Sequence, residues 1–227
     1  MNLVPITRIL LWLRNRRWLL LVLFVGVLIP LYVFGELAED VAEHESFFFD
    51  APILLFMHSH ATPLLDQVML FFSLIGYRFG VVPTDVGILL ILLWRHRWGD
   101  ALFWSLAVGG AAVLNVAAKH SFSRIRPELW LSIAPEKTFS FPSGHAMGSM
   151  ALVTALAVLT WPTRWRWPVL ILGSLFVLFV GLSRVYLGVH YPSDILAGWA
   201  ASLGWVLGLS VILYGRLGKP SPQTEPT

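Results

Sequence analysis

Long apolar runs broken by short charged clusters set the pattern of this chain. A bilayer core about 30 Å thick needs about 20 mostly apolar residues per helix. Six segments meet that requirement: residues 18–34, 68–94 (broken near Pro83), 101–118, 146–161, 168–186 and 195–214. The intervening stretch 35–66 is mixed, with Glu36, Glu39, Asp40, Glu43 and Glu45 followed by Phe47, Phe48 and Phe49. That mixture predicts an external segment lying at the membrane interface rather than a further crossing. The expected fold class is all-α: an integral membrane bundle of six transmembrane helices forming a single domain over 1–227, with 217–227 a flexible cytoplasmic tail.

The positive charges orient this bundle. Arg8, Arg14, Arg16 and Arg17 precede the first segment, and Arg95 and Arg97 follow the second. Arg164 and Arg166 lie between the fourth and fifth, and Arg216 and Lys219 follow the sixth. With six crossings all four groups share one face, so both the N- and C-termini are expected in the cytoplasm and the acidic stretch outside. The N-terminal order of basic and apolar residues also fits a signal peptide. The run is long and lacks a small-residue cleavage site, so an uncleaved first span is expected.

Composition supports the membrane reading. The 227 residues are 57% hydrophobic and only 13% charged, with a mean hydropathy of +0.73. A net charge of +3 would suggest nucleic acid in a soluble protein. Here the bases flank apolar runs, so the partners expected are the bilayer and a ligand within it, and nucleic acid is not among them. Cysteine is absent, which removes disulfides, thiol nucleophiles and thiolate metal sites from consideration.

Several bases oppose the orientation rule, and most fall in three clusters. One runs from Lys119 to Arg126 and Pro127, at the outer end of the third segment. Another is Phe141-Pro142-Ser143-Gly144-His145, opening the fourth, and the last spans Ser183-Arg184 to His190 and Asp194. All three reach the same predicted face, and their chemistry converges on phosphate. Lys119, Arg126 and Arg184 supply fixed charge, and the guanidinium forks suit bidentate contact. Ser143 and Gly144 sit at a helix start, where free N–H groups attract an anion. His145, one residue on, is placed to protonate a leaving oxygen. Pro192 suits the first helical position, which leaves His190 just outside the helix and Asp194 in its first turn. The carboxylate can then accept a hydrogen bond from the His190 ring, fixing its tautomer and raising the nucleophilicity of the other nitrogen. Taken singly, His44, His58, His60, His96, His120, Arg78, Arg124 and Lys137 read as interfacial or packed residues and snorkelling anchors. Asn115, one turn before Lys119, reads as a residue orienting that lysine, and Asp85 as a partner for Arg78.

At these clusters the sequence resembles the type 2 phosphatidic acid phosphatase superfamily. Its pattern K-x(6)-R-P, P-S-G-H and S-R-x(5)-H-x(3)-D is matched at Lys119 to Pro127, Pro142 to His145, and Ser183 to Asp194. The resemblance implies hydrolysis of a lipid phosphomonoester or pyrophosphate through a phosphohistidine, with no metal and no cofactor. Carried over by position, His190 attacks phosphorus, Asp194 orients it, and His145 protonates the leaving group and then activates water. Lys119, Arg126, Ser143, Gly144 and Arg184 are expected to hold the phosphate. Among bacterial members the chain looks similar to phosphatidylglycerophosphate and undecaprenyl-pyrophosphate phosphatases. A phosphotransferase of the same family would share the motifs. A transporter is the rival from another class, but transporter charges gather near the bilayer midplane, whereas these lie at segment ends. The motifs do not separate the candidate lipids or fix an oligomeric state, although Gly204 and Gly208 offer a small-residue step for helix packing.

Overall fold

The computed structural model describes residues 17–215 and is helical throughout its regular elements. Helix α1 covers residues 17–42 and includes a π-helical stretch, Val22–Leu28. It is followed by α2 (Asp50–Ser59), α3 (Pro63–Ile75), α4 (Val81–Trp94), α5 (Trp98–Phe122), α6 (Gly144–Thr160), α7 (Arg166–Tyr186) and α8 (Pro192–Tyr214). Among the described residues, four helices are long and apolar enough to cross a membrane: Leu19–Ala42 within α1, and α5, α7 and α8. Helices α3, α4 and α6 are shorter and apolar. The N-terminal arginines up to Arg16 and the tail expected at 217–227 lie outside the described residues.

Helix α1 continues past the expected boundary at Phe34, through the acidic residues to Ala42. The reason is a packed stripe: Ala38 and Val41 are buried beside Phe141 and Ala197, with Phe34 and Leu37 against them, while Glu36, Glu39 and Glu43 point away. The segment expected at the interface is therefore partly α1 and partly α2. The second apolar run divides at Gly76–Gly80, earlier than the expected break near Pro83. Gly80 lies so close to the Ile75 carbonyl that a Cβ would sit 2.1 Å from its oxygen. Pro83 falls in the first turn of α4, where its missing N–H costs no intrahelical bond. The break also separates Arg78 from Asp85. Arg78 stacks on Phe79, and the expected pair does not form.

The main core lies where α4, α5, α6 and α8 meet, around Val81, Phe103, Trp104, Ala107, Leu152, Val158 and Val206. Small residues bring the helices close enough to align their ends. Gly204 receives Leu31 of α1, so the small-residue step packs helices within this chain. A Cβ at Gly198 would stand 3.0 Å from both the Ser143 carbonyl and the Ala146 Cβ. That close approach joins the N-terminal ends of α6 and α8, the two helix starts that carry His145 and Asp194.

Candidate active site

The C-terminal ends of α5 and α7 and the N-terminal ends of α6 and α8 meet at one end of the bundle. Between them a cavity of about 620 Å³ is lined by Lys119, Glu136, Gly144, His145, Arg184 and His190, among others. Tyr77, Arg78 and Phe79, from the break between α3 and α4, form another part of its wall. Seven of the eight residues singled out from the sequence are thus in the cavity wall or bonded directly to it; Ser143 differs.

His190 lies in the short connection between α7 and α8. Gly188 makes the turn possible with a φ of +67°, and a Cβ there would also strike Trp130, 2.5 Å away. Pro192 starts α8, and the Asp194 carboxylate accepts the Tyr191 N–H at 2.9 Å, closing the helix start. The same Asp194 Oδ2 lies 3.2 Å from His190 Nδ1, as the i to i+4 spacing across the helix start suggests. On the other side of the ring, Arg126 donates to His190 Nε2 at 3.0 Å. A guanidinium can only donate, so Nε2 must carry the lone pair and Nδ1 the hydrogen given to Asp194. Burial, helped by the charges of Arg126, Arg184 and Lys119, holds the His190 ring well below the usual imidazole pKa. The ring is therefore neutral near pH 7, with its lone pair on the nitrogen that faces the cations and accepts from Arg126.

The cationic side chains are held from behind. Arg126 donates to the carbonyls of Thr138 (2.6 Å) and Val189 (2.5 Å). Lys119 donates to the Phe139 carbonyl, and Arg184 to the Ser73 hydroxyl. Ser143 is fully buried and caps α6, accepting the Ala146 N–H, while its own N–H is spent on the Asp194 carbonyl at 3.1 Å. Ser143, expected from the sequence to help hold phosphate, shapes the helix start, while Gly144 and His145 line the cavity. Asn115 likewise does not orient Lys119. It donates to the Pro142 carbonyl at 3.0 Å and fixes the Pro-Ser-Gly-His turn onto α5.

Two residues escaped sequence reasoning. Arg124 had read as a surface anchor, yet it bonds Asp194 at 2.6 Å. Glu136 places its carboxylate among the cations, pairing with Arg126 at 3.2 Å and with Arg184, and standing 4.0 Å from His145 Nδ1. A carboxylate held by two guanidinium groups uses the same donors that a phosphate would. Glu136→Gln should therefore lower the inhibition constant for vanadate or inorganic phosphate several-fold, measured by competitive inhibition, because the anion no longer competes with a resident charge. An unchanged or weakened constant would show that Glu136 organises the arginines rather than competing with the ligand.

An anion cradle around a neutral histidine, set at the end of an apolar helical bundle, is the arrangement that the sequence motifs imply for a membrane phosphohydrolase. A family model described as the PAP2 superfamily matches residues 86–217; the chain belongs to this superfamily and, in line with the relatives that follow, is a phosphatase. It is 29% identical over 199 residues to an undecaprenyl-diphosphatase from Sulfolobus acidocaldarius, covering 86% of this chain and 89% of that protein. It is 31% identical over 146 residues to phosphatidylglycerophosphatase B from Bacillus subtilis, covering 62% and 71% respectively. Among solved structures, it resembles a transmembrane PAP2-type phosphatidylglycerolphosphate phosphatase from Bacillus subtilis. The TM-score is 0.69 at 28% identity, over 82% of this chain and 94% of that one.

Proposed function

We propose that this phosphatase hydrolyses a phosphomonoester or pyrophosphate carried by a membrane lipid, at the non-cytoplasmic face, through a covalent phosphate on His190. Phosphatidylglycerophosphate, phosphatidic acid and undecaprenyl pyrophosphate are the candidate substrates, the first and last matching the names of similar proteins. The observation that carries the reading is the His190 ring, neutral, tethered to Asp194 and aimed at Arg126 beside the cavity.

In the first step Nε2 attacks phosphorus in line with the leaving oxygen. The N–P bond forms as the P–O bond breaks. Burial and the neighbouring Arg184 hold His145 well below the usual imidazole range in the empty cavity; a bound phosphate offsets those cations, so His145 takes up a proton with the substrate and gives it to the departing lipid alkoxide or phosphate. Lys119, Arg126, Arg184 and the free N–H groups at the start of α6 face the charge spread over the equatorial oxygens. In the second step His145, now neutral, takes a proton from water, whose oxygen attacks phosphorus and releases His190. The charge that a metal would otherwise provide comes from three side chains, so no cofactor is invoked. Phosphate release from purified lipid phosphates should persist in EDTA, with the panel ranking the substrates. No release from any lipid, or release restored only by Mg²⁺, would overturn the proposal.

The topology proposed for this activity has six crossings in one membrane-embedded domain, with α3 and α4 together making the second. Asp66 and Thr62, at the start of α3, meet Tyr186 at the end of α7, so α3 runs antiparallel to α7, from the site end inward. Arg95, Arg97, Arg164 and Arg166 then gather at the opposite end, assigned to the cytoplasm, together with the start of α1 and the end of α8. A chain without cysteine allows a clean test. Leu131→Cys, exposed in the connection before α6, should react with a membrane-impermeant maleimide on intact cells or spheroplasts. Thr163→Cys should react only after permeabilisation. The reverse pattern would invert the membrane face assigned to the site.

A further inference from the structure

Behind the His190–Asp194 pair lies a second layer of charge that the reaction steps do not use. Asp50, near the start of α2, is buried; its Oδ1 accepts the Ser193 N–H at 2.9 Å and its Oδ2 the Ser193 hydroxyl at 2.6 Å. Arg124 donates to Asp50 Oδ2 at 2.9 Å through one terminal nitrogen. Through the other it reaches Asp194 Oδ1 at 2.6 Å and the Ser193 hydroxyl at 2.8 Å. Its guanidinium lies 4.2 Å from the centre of the Tyr191 ring. Neither Asp50 nor Arg124 lines the cavity that holds His190, Lys119 and Arg184.

Resting on the phosphohistidine reading, we propose that Arg124, pinned by Asp50, is a positioning residue: it occupies one oxygen of Asp194 so that the other holds the His190 ring in line for attack. The geometry assigns the oxygens separately. Arg124 takes Oδ1; His190, the Tyr191 N–H and the Ser140 hydroxyl share Oδ2. A buried carboxylate without a counter-charge tends to take up a proton and lose its acceptor role. Arg124 supplies that counter-charge, and Asp50 balances it. Lysine keeps the charge but has no planar fork with which to span two carboxylates.

The pair also feels charges from every side. Lys119, Arg126 and Arg184 act on His190 from the cavity, with Glu136 and His145 beyond them. Arg124 acts on Asp194 from behind, and Asp50, Tyr191 and Glu128 lie in the same neighbourhood. The acid limb of kcat/KM reports proton uptake by the His190–Asp194 pair as a unit. Removing a positive charge next to the pair makes that uptake easier; removing a negative charge behind Arg124 makes it harder.

The test uses the full-length protein in lipid–detergent micelles, with Arg124→Gln, Arg124→Lys and Asp50→Asn compared on one lipid phosphate. Both Arg124 variants should lose about 10–100-fold in kcat, by analogy with the partners that orient metal-ligating side chains from behind, with little change in KM. The acid limb should rise by about one pH unit in Arg124→Gln and fall in Asp50→Asn, while Arg124→Lys leaves it near that of the unaltered protein. A general loss of structure would not move the limb in opposite directions. If Arg124→Gln does not fold, Asp50→Asn against Arg124→Lys still decides the sign. Unaltered kcat in both Arg124 variants, or limb shifts that are absent or equal in sign, would overturn the proposal. An unaltered protein with no activity, or an active His190→Ala variant, would instead sink the phosphohistidine reading beneath it.

Discussion

Replacing His190 with alanine should abolish the phosphoenzyme and reduce turnover by at least about 10⁴-fold, the scale seen when a covalent nucleophile is lost. The expectation rests on position. His190 alone among the cavity residues has one ring nitrogen tethered to a carboxylate and the other facing the cations. His145, across the cavity, has no such tether; Glu136 stands 4.0 Å from its Nδ1, and its ring packs 5.2 Å from Tyr77. Removing the His190 ring leaves Arg126, Arg184 and Lys119 in place, so substrate can still bind without being attacked. Rapid quenching with substrate labelled at phosphorus should trap acid-labile, base-stable label on the unaltered protein and none on His190→Ala. Label on the variant, or on any other residue of the unaltered protein, would remove His190 from the nucleophile's role.

Much of this site could be read from the chain because its parts are local. Pro192, His190 and Asp194 lie within five residues, so the helix start alone fixes their spacing, and the structure places the ring and carboxylate 3.2 Å apart. Lys119, Gly144, His145 and Arg184 each sit at a helix end whose place follows from hydropathy. What stayed hidden depends on long-range packing. Asp50 and Asp194 are joined by Arg124 across 74 and 70 residues of sequence, and nothing local distinguishes Arg124 from a surface anchor. Glu136 lies in an irregular connection, where no period predicts which way a side chain points. The only available signal was an acidic residue close to a predicted anion site, which ordinary charge logic would have placed outside it.

Helix limits failed for related reasons. Hydropathy ended α1 at the first glutamates, but a helix needs only one apolar face, and Ala38 and Val41 found theirs against Phe141 and Ala197. The extension matters for function: Phe34 stacks 6.1 Å from Phe141, and Phe122 of α5 meets the same ring edge-on at 5.2 Å. The residue just before Pro-Ser-Gly-His is thus clamped between α1 and α5. Proline weighting put the second break near Pro83, whereas the glycines at 76 and 80 and the close backbone approach at Gly80 set it earlier.

The two histidines should separate by the step each serves, which makes the leaving group a diagnostic. His145→Ala keeps the nucleophile and its Asp194 tether but removes the acid that protonates the departing oxygen. General acid–base catalysis of that kind is worth about 10²–10⁴-fold, so turnover of a lipid phosphomonoester should fall by that amount. A lipid alkoxide is a poor leaving group and needs the proton; p-nitrophenolate departs without one. The loss in phosphoenzyme formation should therefore shrink sharply with p-nitrophenyl phosphate. The second step does not share that relief, because water attacking the phosphohistidine still needs a base. His145→Ala should then show a burst of p-nitrophenol close to one equivalent per site, followed by slow turnover, with label accumulating on His190. His190→Ala should show neither burst nor label with either substrate. Equal losses of His145→Ala on the lipid and on p-nitrophenyl phosphate, with no burst, would mean that His145 holds the phosphate rather than moving a proton.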